Sequence, residues 1–451
     1  MIDALLIGFA GLGALVVLIV LRMPVAYAMI LVGGIGVTLL NGTDIFLSQL
    51  KTLAYGQFSI YDLSVLPMFV LMGALATRAG LSHDLFRAAK AWFGQFRGGS
   101  AMAAVAACAG FGAVCGSSLA TASTMGKVAL PQLREQKYSG ALATGTLAAG
   151  GVLGILIPPS VVLIIYSIIV EANVVTMFMA ALVPGILAVI LFILAISIYA
   201  RIFPGAAPNA ERVSTKEWMA ATFGVAPVIG IFGLVIGGMY LGWFNPTPAA
   251  AVGVVLVLAY GGLRKSIRFE QLREAIEETA KTTGMIYLIL LGAEMLKIFM
   301  SRAGVPQAMA EWMATSGLPP LLVLGILLIS LIALGCLMDS LSMILLAIPF
   351  FWPVLLELNG GDYQLAAGSG FGMSSDELKI WFGLLALIVV ELGLITPPVG
   401  LNVFVISSIA EDVPMSETFK GVLPFFLAEL VRVGLLIAFP ILVLWLPRLL
   451  I

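Results

Sequence analysis

Two apolar runs of the chain are each interrupted by a pair of prolines led by the same Leu-Gly: "LGILIPPS" at residues 153–160 and "LGLITPPVG" at residues 392–400. Proline removes a backbone donor and ends a helix. Inside hydrocarbon that leaves amides and carbonyls unpaired, at several kcal/mol per group unless protein, water or a ligand satisfies them. The surrounding runs belong in a membrane. An α-helical span takes about 20 apolar residues, and the chain has many such runs. It is 61% hydrophobic and 10% charged, against about 25% charged in a soluble domain. The strict alternation of a membrane β-barrel is absent, so the expected fold is an all-α polytopic membrane protein. Runs 160–170 and 401–410 are too short to cross about 30 Å alone. Joined to 139–157 and 379–396, they read as two broken transmembrane helices.

The two breaks belong to an ordered set of matches. Arg78-Ala79-Gly80 matches Arg302-Ala303-Gly304, Ser118 matches Ser340, and Pro131 matches Pro353. The double prolines follow, then Glu171 with Glu411 and Pro184 with Pro424, at a spacing of about 222 to 240 residues. This predicts two structural repeats. Bases flank the Gly-Ser segment of the first: Arg78, Arg87, Lys90 and Arg97 before it, Lys127, Arg134 and Lys137 after it. By the positive-inside rule both flanks face the cytoplasm, so 99–126 enters and leaves on one side as a re-entrant hairpin. The matching segment, about 319–356, has few bases and several acids around it, which predicts an inverted second copy. The division expected is N-terminal scaffold helices at 1–60 and a first repeat at 61–200, with a surface arm helix, the hairpin and the broken helix 139–170. A linker with scaffold helices and an amphipathic arm helix follows at 201–282. The second repeat occupies 283–451, with its hairpin, the broken helix 379–410 and a C-terminal helix.

Asp339 is the sole charged residue between residues 312 and 356. An ionisable group in a span is expensive and usually functional, and with Ser340 and Ser342 beside it the sharp reading is a cation site. The alternatives are a salt-bridge partner or a headgroup-level position. Gly116 and Ser117 supply an open turn, and Ser117, Ser118 and Thr121 supply oxygens or simply small packing surfaces. Ser160, Thr396 and Asn402 flank the breaks at Pro158-Pro159 and Pro397-Pro398. Arg302 has the fork for a carboxylate, or snorkels to lipid headgroups. Glu294 and Lys297 are placed to neutralise each other. Glu391 and Glu429 are isolated in apolar runs, where either is a candidate proton carrier. His83 and the cysteines Cys108, Cys115 and Cys336 form no metal or disulfide pattern. The net charge of −1 and the lack of basic patches argue against nucleic acid. There is no Walker A sequence and no hydrolase or metalloprotease motif, so no enzyme activity, cofactor or transition metal is expected. The first 21 residues read as a span rather than a cleaved leader.

The segments "AGFGAVCGSSLATASTMGKVALPQL" (109–133), "GGVLGILIPPSVVLIIYS" (150–167), "LGCLMDSLSMILLAIPFFWP" (334–353) and "ELGLITPPVGLNVFVIS" (391–407) resemble the large membrane subunit of TRAP transporters, the DctM-like permeases. The resemblance covers essentially the whole chain. It implies import of a small organic acid anion, such as a C4-dicarboxylate, by Na⁺ symport across the bacterial or archaeal cytoplasmic (inner) membrane. It implies two protein partners, a periplasmic solute-binding protein and a small four-helix permease subunit, here expected as a separate polypeptide. It also implies an elevator-type motion of hairpins and broken helices against a scaffold. The Na⁺ positions it implies are Gly116, Ser117, Ser118, Pro158 and Pro159 in one repeat and Asp339, Ser340, Thr396, Pro397 and Pro398 in the other. Ser160, Arg302 and Asn402 are the substrate-binding candidates. Two alternatives from the residues alone are a stand-alone or proton-coupled organic anion carrier and a gated channel or membrane scaffold.

Overall fold

The computed structural model describes residues 2–208, 213–315 and 317–450. Residues 209–212 of the predicted linker lie outside the described residues. All regular structure among the described residues is helical. The chain runs α1 (Ile2–Val20), α2 (Val25–Asn41), α3 (Thr43–Phe58), α4 (Val65–Ala79) and α5 (Leu81–Phe93), then α6 (Gly99–Cys115), α7 (Ser118–Glu135), α8 (Gly140–Leu156), α9 (Val161–Ile169) and α10 (Val174–Ile202). It continues with α11 (Thr215–Tyr240), α12 (Pro246–Leu263), α13 (Phe269–Ala303), α14 (Val305–Thr315) and α15 (Pro320–Gly335). The last five are α16 (Ser340–Asn359), α17 (Ser375–Gly393), α18 (Leu401–Ile409), α19 (Met415–Ala438) and α20 (Ile441–Leu450). Among the described residues, seven helices are long and apolar enough to cross a membrane, or eight if α8 and α9, bent by 45° at their break, form one span.

The predicted hairpins are helix pairs. At the base of the first, the Ser100 N–H donates to Tyr138 Oη at 3.1 Å, so the outer ends of α6 and α7 meet. The turn is at Gly116–Ser117, with Gly116 at φ +62°, a left-handed conformation that glycine adopts without strain. The second arm continues past the predicted limit of 126 to Glu135 and holds Pro131 inside the helix. The second hairpin is α15–α16.

One predicted boundary is corrected. The amphipathic helix expected at 264–281 and the span expected at 283–300 are one 35-residue helix, α13, so a division at 282/283 cuts a continuous element. The stretch 269–283 holds neither glycine nor proline, and nothing in it stops the helix. Arg273 and Glu277 pair along it at 2.8 Å. Its acids also answer to Arg78 on α4, which reaches Glu278 at 2.8 Å and Glu274 at 3.5 Å. Arg78 is therefore paired within the chain, with acids that are themselves exposed. Glu294 and Lys297 pair at 3.4 Å, as their spacing suggests.

The repeated Leu-Gly has a packing cause in both places. A Cβ on Gly112 of α6 would lie 2.5 Å from the Cα of Gly154 on α8, and one on Gly154 would meet Thr121 Oγ1 and stand 2.7 Å from the Ser117 carbonyl. In the second hairpin, a Cβ on Gly393 of α17 would lie 2.6 Å from the Cα of Gly335 on α15. In each case a hairpin arm crosses a broken helix backbone to backbone, four residues before both interruptions. The second of each pair of half-helices reaches the other half of the chain: α9 packs against α16 and α17 as well as α10, and α18 against α7 and α8. Elsewhere α13 packs along α2, α4 along α12, and α11 against α5 and α12.

Candidate functional site

Every interruption read from the sequence is a meeting of helix ends. Ser117 caps α7, accepting from the Ala120 N–H at 3.4 Å, and Ser160 caps α9, accepting from the Leu163 N–H at 3.3 Å. Asp339 caps α16: its carboxylate accepts from the Ser342 N–H at 3.1 Å and from the Ser342 hydroxyl at 2.6 Å. Gly400, at φ +57°, precedes α18. Capping by itself accounts for small polar residues at these positions. It leaves each carboxylate or hydroxyl oxygen a further lone pair.

The first tip and the first break touch. A Cβ on Gly116 would lie 3.0 Å from the Pro159 carbonyl and 3.6 Å from the Ser160 Cα. Pro158, Pro159 and Ser160 are buried. Glu391, fully buried on α17, accepts a short hydrogen bond from the Ser340 hydroxyl. One cavity of about 260 Å³ gathers the two tips: Gly116, Ser117 and Ser118 of the first, Asp339 and Ser340 of the second. Its opposite wall is α4 and α13, including Thr77, Glu278 and Thr282. A second cavity of about 630 Å³ lies beside Asp339 and Ser342, lined across from them by the Arg22–Tyr27 turn and α13.

The second break is arranged differently. Thr396 bonds back to the Leu392 carbonyl at 2.6 Å, and Pro397 and Pro398 are exposed. Both Pro–Pro peptide bonds are cis. Asn402 is buried between α18 and α8, donating to the Ala148 carbonyl at 3.3 Å. Arg302 is not brought to the site. It is exposed at the end of α13, 17 residues beyond Met285 on the cavity wall, or about 25 Å at 1.5 Å per residue.

The donor set is one of hard oxygens. Three buried oxygens around the tips and breaks have no hydrogen-bond partner: Thr121 Oγ1, Asn402 Oδ1 and Glu391 Oε2. Carboxylate, hydroxyl, amide and terminal carbonyl oxygens are hard ligands. The same place presents the first turns of α7 and α9, whose amides and partial positive charge favour an anion, while the first turn of α16 is already met by the Asp339 carboxylate.

Interrupted helices gathered around an interior cavity define a multi-pass helical membrane protein of a transporter fold. The crystal structure of the Alcanivorax borkumensis YdaH transporter superposes with a TM-score of 0.62 over 90% of both chains at 13% sequence identity. Neisseria gonorrhoeae MtrF, described within a class of antimetabolite efflux pumps, gives 0.59 over 90% of this chain and 84% of that one at 15% identity. At such identities these likenesses concern the fold alone. In sequence, residues 12–442 match the family described as "Tripartite ATP-independent periplasmic transporter, DctM component". The chain is 34% identical over 86% of its length to the C4-dicarboxylate TRAP transporter large permease protein DctM of Pseudomonas aeruginosa, covering 86% of that protein. It is 30% identical over 95% of both chains to the sialic acid TRAP transporter large permease protein SiaM of Vibrio cholerae. The chain belongs to the DctM family of TRAP transporter large permeases; it is a transport subunit of the bacterial inner membrane and not an enzyme.

Sequence reasoning missed the wall that closes the cavity. Thr77, Glu278 and Thr282 are ordinary polar residues on otherwise regular helices, and no local pattern marks them. It also missed Gly112 and Gly335, although each sits four residues before a tip, as Gly154 and Gly393 sit four before a double proline. Glu391 was visible as an isolated acid, but its contact with Ser340 was not.

Proposed function

We propose that this permease imports a small organic acid anion by Na⁺ symport. The observation that carries the reading is the convergence of two helix-turn-helix tips and a broken helix on one cavity, with Asp339 on one side and unpartnered oxygens behind it. Na⁺ is held at Gly116, Ser117, Ser118, Pro158 and Pro159, and at Asp339, Ser340, Thr396, Pro397 and Pro398. The anion is received between them by the first turns of α7 and α9, with Ser160 and Asn402 supporting that region. Arg302, remote from the cavity, has no part in it. The two hairpin-and-break units are inverted repeats. They move together, with α10 and α19, as an elevator against a scaffold of α1–α4 and α11–α13. Cation binding orders the tips and so creates the anion site, which makes the coupling reciprocal.

A relative that handles C4-dicarboxylates and another that handles sialic acid, itself a carboxylate, support an acid substrate. A C4-dicarboxylate is our choice of class. A small permease subunit and a periplasmic binding protein complete the system. The test is uptake into proteoliposomes holding both membrane subunits, with loaded binding protein outside. Replacing external Na⁺ by choline abolishes concentrative uptake. Full uptake driven by a proton gradient alone overturns the reading.

A further inference from the structure

The loop that joins the second hairpin to α17, residues 360–374, lies at the end of the molecule away from the base of the first hairpin. Helix α8 starts two residues after Tyr138 at that base, whose flanks carry Arg97, Arg134 and Lys137. After the 45° bend, α9 ends beside the start of α17, where Tyr166 Oη donates to the Lys379 carbonyl at 2.7 Å. The positive-inside rule puts the basic end in the cytoplasm, so 360–374 faces the periplasm. The loop is held at several points. Asn359 is fully buried and closes it: its Nδ2 donates to the Met373 carbonyl and its Oδ1 accepts from the Phe371 N–H, both at 3.2 Å. The Ser375 hydroxyl donates to the Gly361 carbonyl at 2.8 Å, and the Ser375 N–H to the Gln364 carbonyl at 3.0 Å. A surface loop with its ends tied and its own side chains packed inside is of the Ω type, frequently a functional one.

This frame holds out Tyr363, 96% exposed, and Leu365, 73% exposed. Tyr363 sits at φ +65°, a left-handed conformation that is uncommon for a bulky side chain and costs it free energy. Glycine would suit the turn better, and a ring so exposed touches too little of its own chain to offset the strain. We propose that Tyr363 and Leu365 dock the periplasmic solute-binding protein, seating in an apolar recess of that partner bordered by basic side chains. This rests on the binding-protein-dependent reading above, which the family's description as tripartite and periplasmic supports. Glu357, Asp362 and Asp376, all exposed, lie on the loop and on the helix ends that flank it. An acidic border repels an anionic lipid surface and complements a basic rim. An exposed aromatic with a polar border is the usual anchor of a protein interface.

The experiment measures binding of the purified, substrate-loaded partner to the complex of large and small subunits in nanodiscs, by biolayer interferometry, beside uptake into proteoliposomes. Tyr363→Gly removes the ring and relieves the left-handed turn. It is expected to melt at or above the wild-type temperature while affinity for the binding protein falls about tenfold. Leu365→Ser acts in the same direction. In uptake, the binding-protein concentration for half-maximal rate rises by about the same factor. The rate at saturating binding protein is kept, because the loop lies outside the transport cavity. Unchanged affinity of both variants overturns the docking role and leaves the binding-protein reading intact. Wild-type uptake at full rate without binding protein refutes that reading and the docking role with it. The other outcome is a membrane anchor. Tyr363→Trp fluorescence, taken as the difference from wild type, is expected to be indifferent to brominated lipid in the nanodisc, and strong quenching assigns the loop to the lipid surface and overturns docking.

Discussion

Substituting alanine for Gly112 tests whether backbone contact between hairpin and broken helix sets the geometry of the first tip. The added Cβ would stand 2.5 Å from the Gly154 Cα and 3.0 Å from the Leu153 carbonyl oxygen. Carbon atoms rest at about 3.5–4.0 Å, so α6 and α8 must part by roughly 1 Å. The atoms in the way are main chain, and no rotamer change relieves them. Overpacking of this kind costs about 1–3 kcal/mol, while alanine's helix propensity returns up to about 1 kcal/mol. The net expectation, with the propensity gain returned in full, is a loss of up to about 2 kcal/mol, together with displacement of Gly116 from Pro159. Gly230→Ala is the control: it lies in α11 with no atom within 4 Å of its would-be Cβ, so it keeps the propensity gain alone. Thermal unfolding in detergent, followed by tryptophan fluorescence, then shows Gly112→Ala below wild type and Gly230→Ala at or above it. Proteoliposome uptake is impaired by the first and spared by the second. Equal midpoints for the two variants, with normal uptake by Gly112→Ala, would refute the argument that this contact positions the tip.

Asp339 caps a helix as well as carrying charge, and the two roles separate. Asp339→Asn keeps a good cap, so it is expected to raise the Na⁺ concentration for half-maximal uptake with little change in melting temperature. Asp339→Ala additionally loses about 0.5–2 kcal/mol of cap stability, read in the same thermal assay. Arg432 and Glu429 form an ion pair with both side chains fully buried, and Arg432 also donates to the Pro184 carbonyl at 3.2 Å. Arg432→Met alone leaves a buried charge, with an expected loss of about 3–5 kcal/mol. Adding Glu429→Leu restores most of it, and failure of that rescue in detergent melts counts against the pair as an isolated unit. Arg78→Ala frees Glu278 at the cavity edge. It is expected to weaken anion uptake at low salt more than at high salt, since screening shortens the reach of the freed charge.

How much was legible in the sequence depends on whether the cause was local. Proline and glycine act on their own backbone, so the interruptions at Gly116, Pro158–Pro159 and Pro397–Pro398 were visible to within a residue or two, while the one at Asp339, with neither residue in 336–342, was legible only through the match of Ser340 with Ser118. Hydropathy gave most of the spans for the same reason. It did not give α3, which is too polar for a span and has no buried residue, nor the continuity of α13 through its change from polar to apolar. The continuity of α13 had a local cue in the lack of glycine and proline at 269–283, while the partner of its acids, Arg78, lies on a different helix. Arg302 was weighed on chemistry alone, and chemistry does not say which end of a long helix faces the cavity. Asp339 was recognised as exceptional for its charge, while its capping of α16 depends on where the helix begins.

The half-helices show why the two hairpins cannot be understood separately. Helices α9 and α18 have nine residues each, about 13 Å of rise. Helices shorter than about 12–15 residues are marginal alone, so their order must come from what they pack against. Helix α9 leans on α16 and α17 of the other half and on α10 and α4 of its own, whereas α18 leans chiefly on α7 and α8. The Asn402 amide reaching the Ala148 carbonyl fastens the second exchange at 3.3 Å, and the ion pair of Arg134 with Asp412 closes it at the outer end. The second break is therefore stabilised mainly by the opposite half of the chain, and the first by both halves. Loosening one hairpin is therefore expected to withdraw support from the half-helix of the other repeat, α18 more than α9.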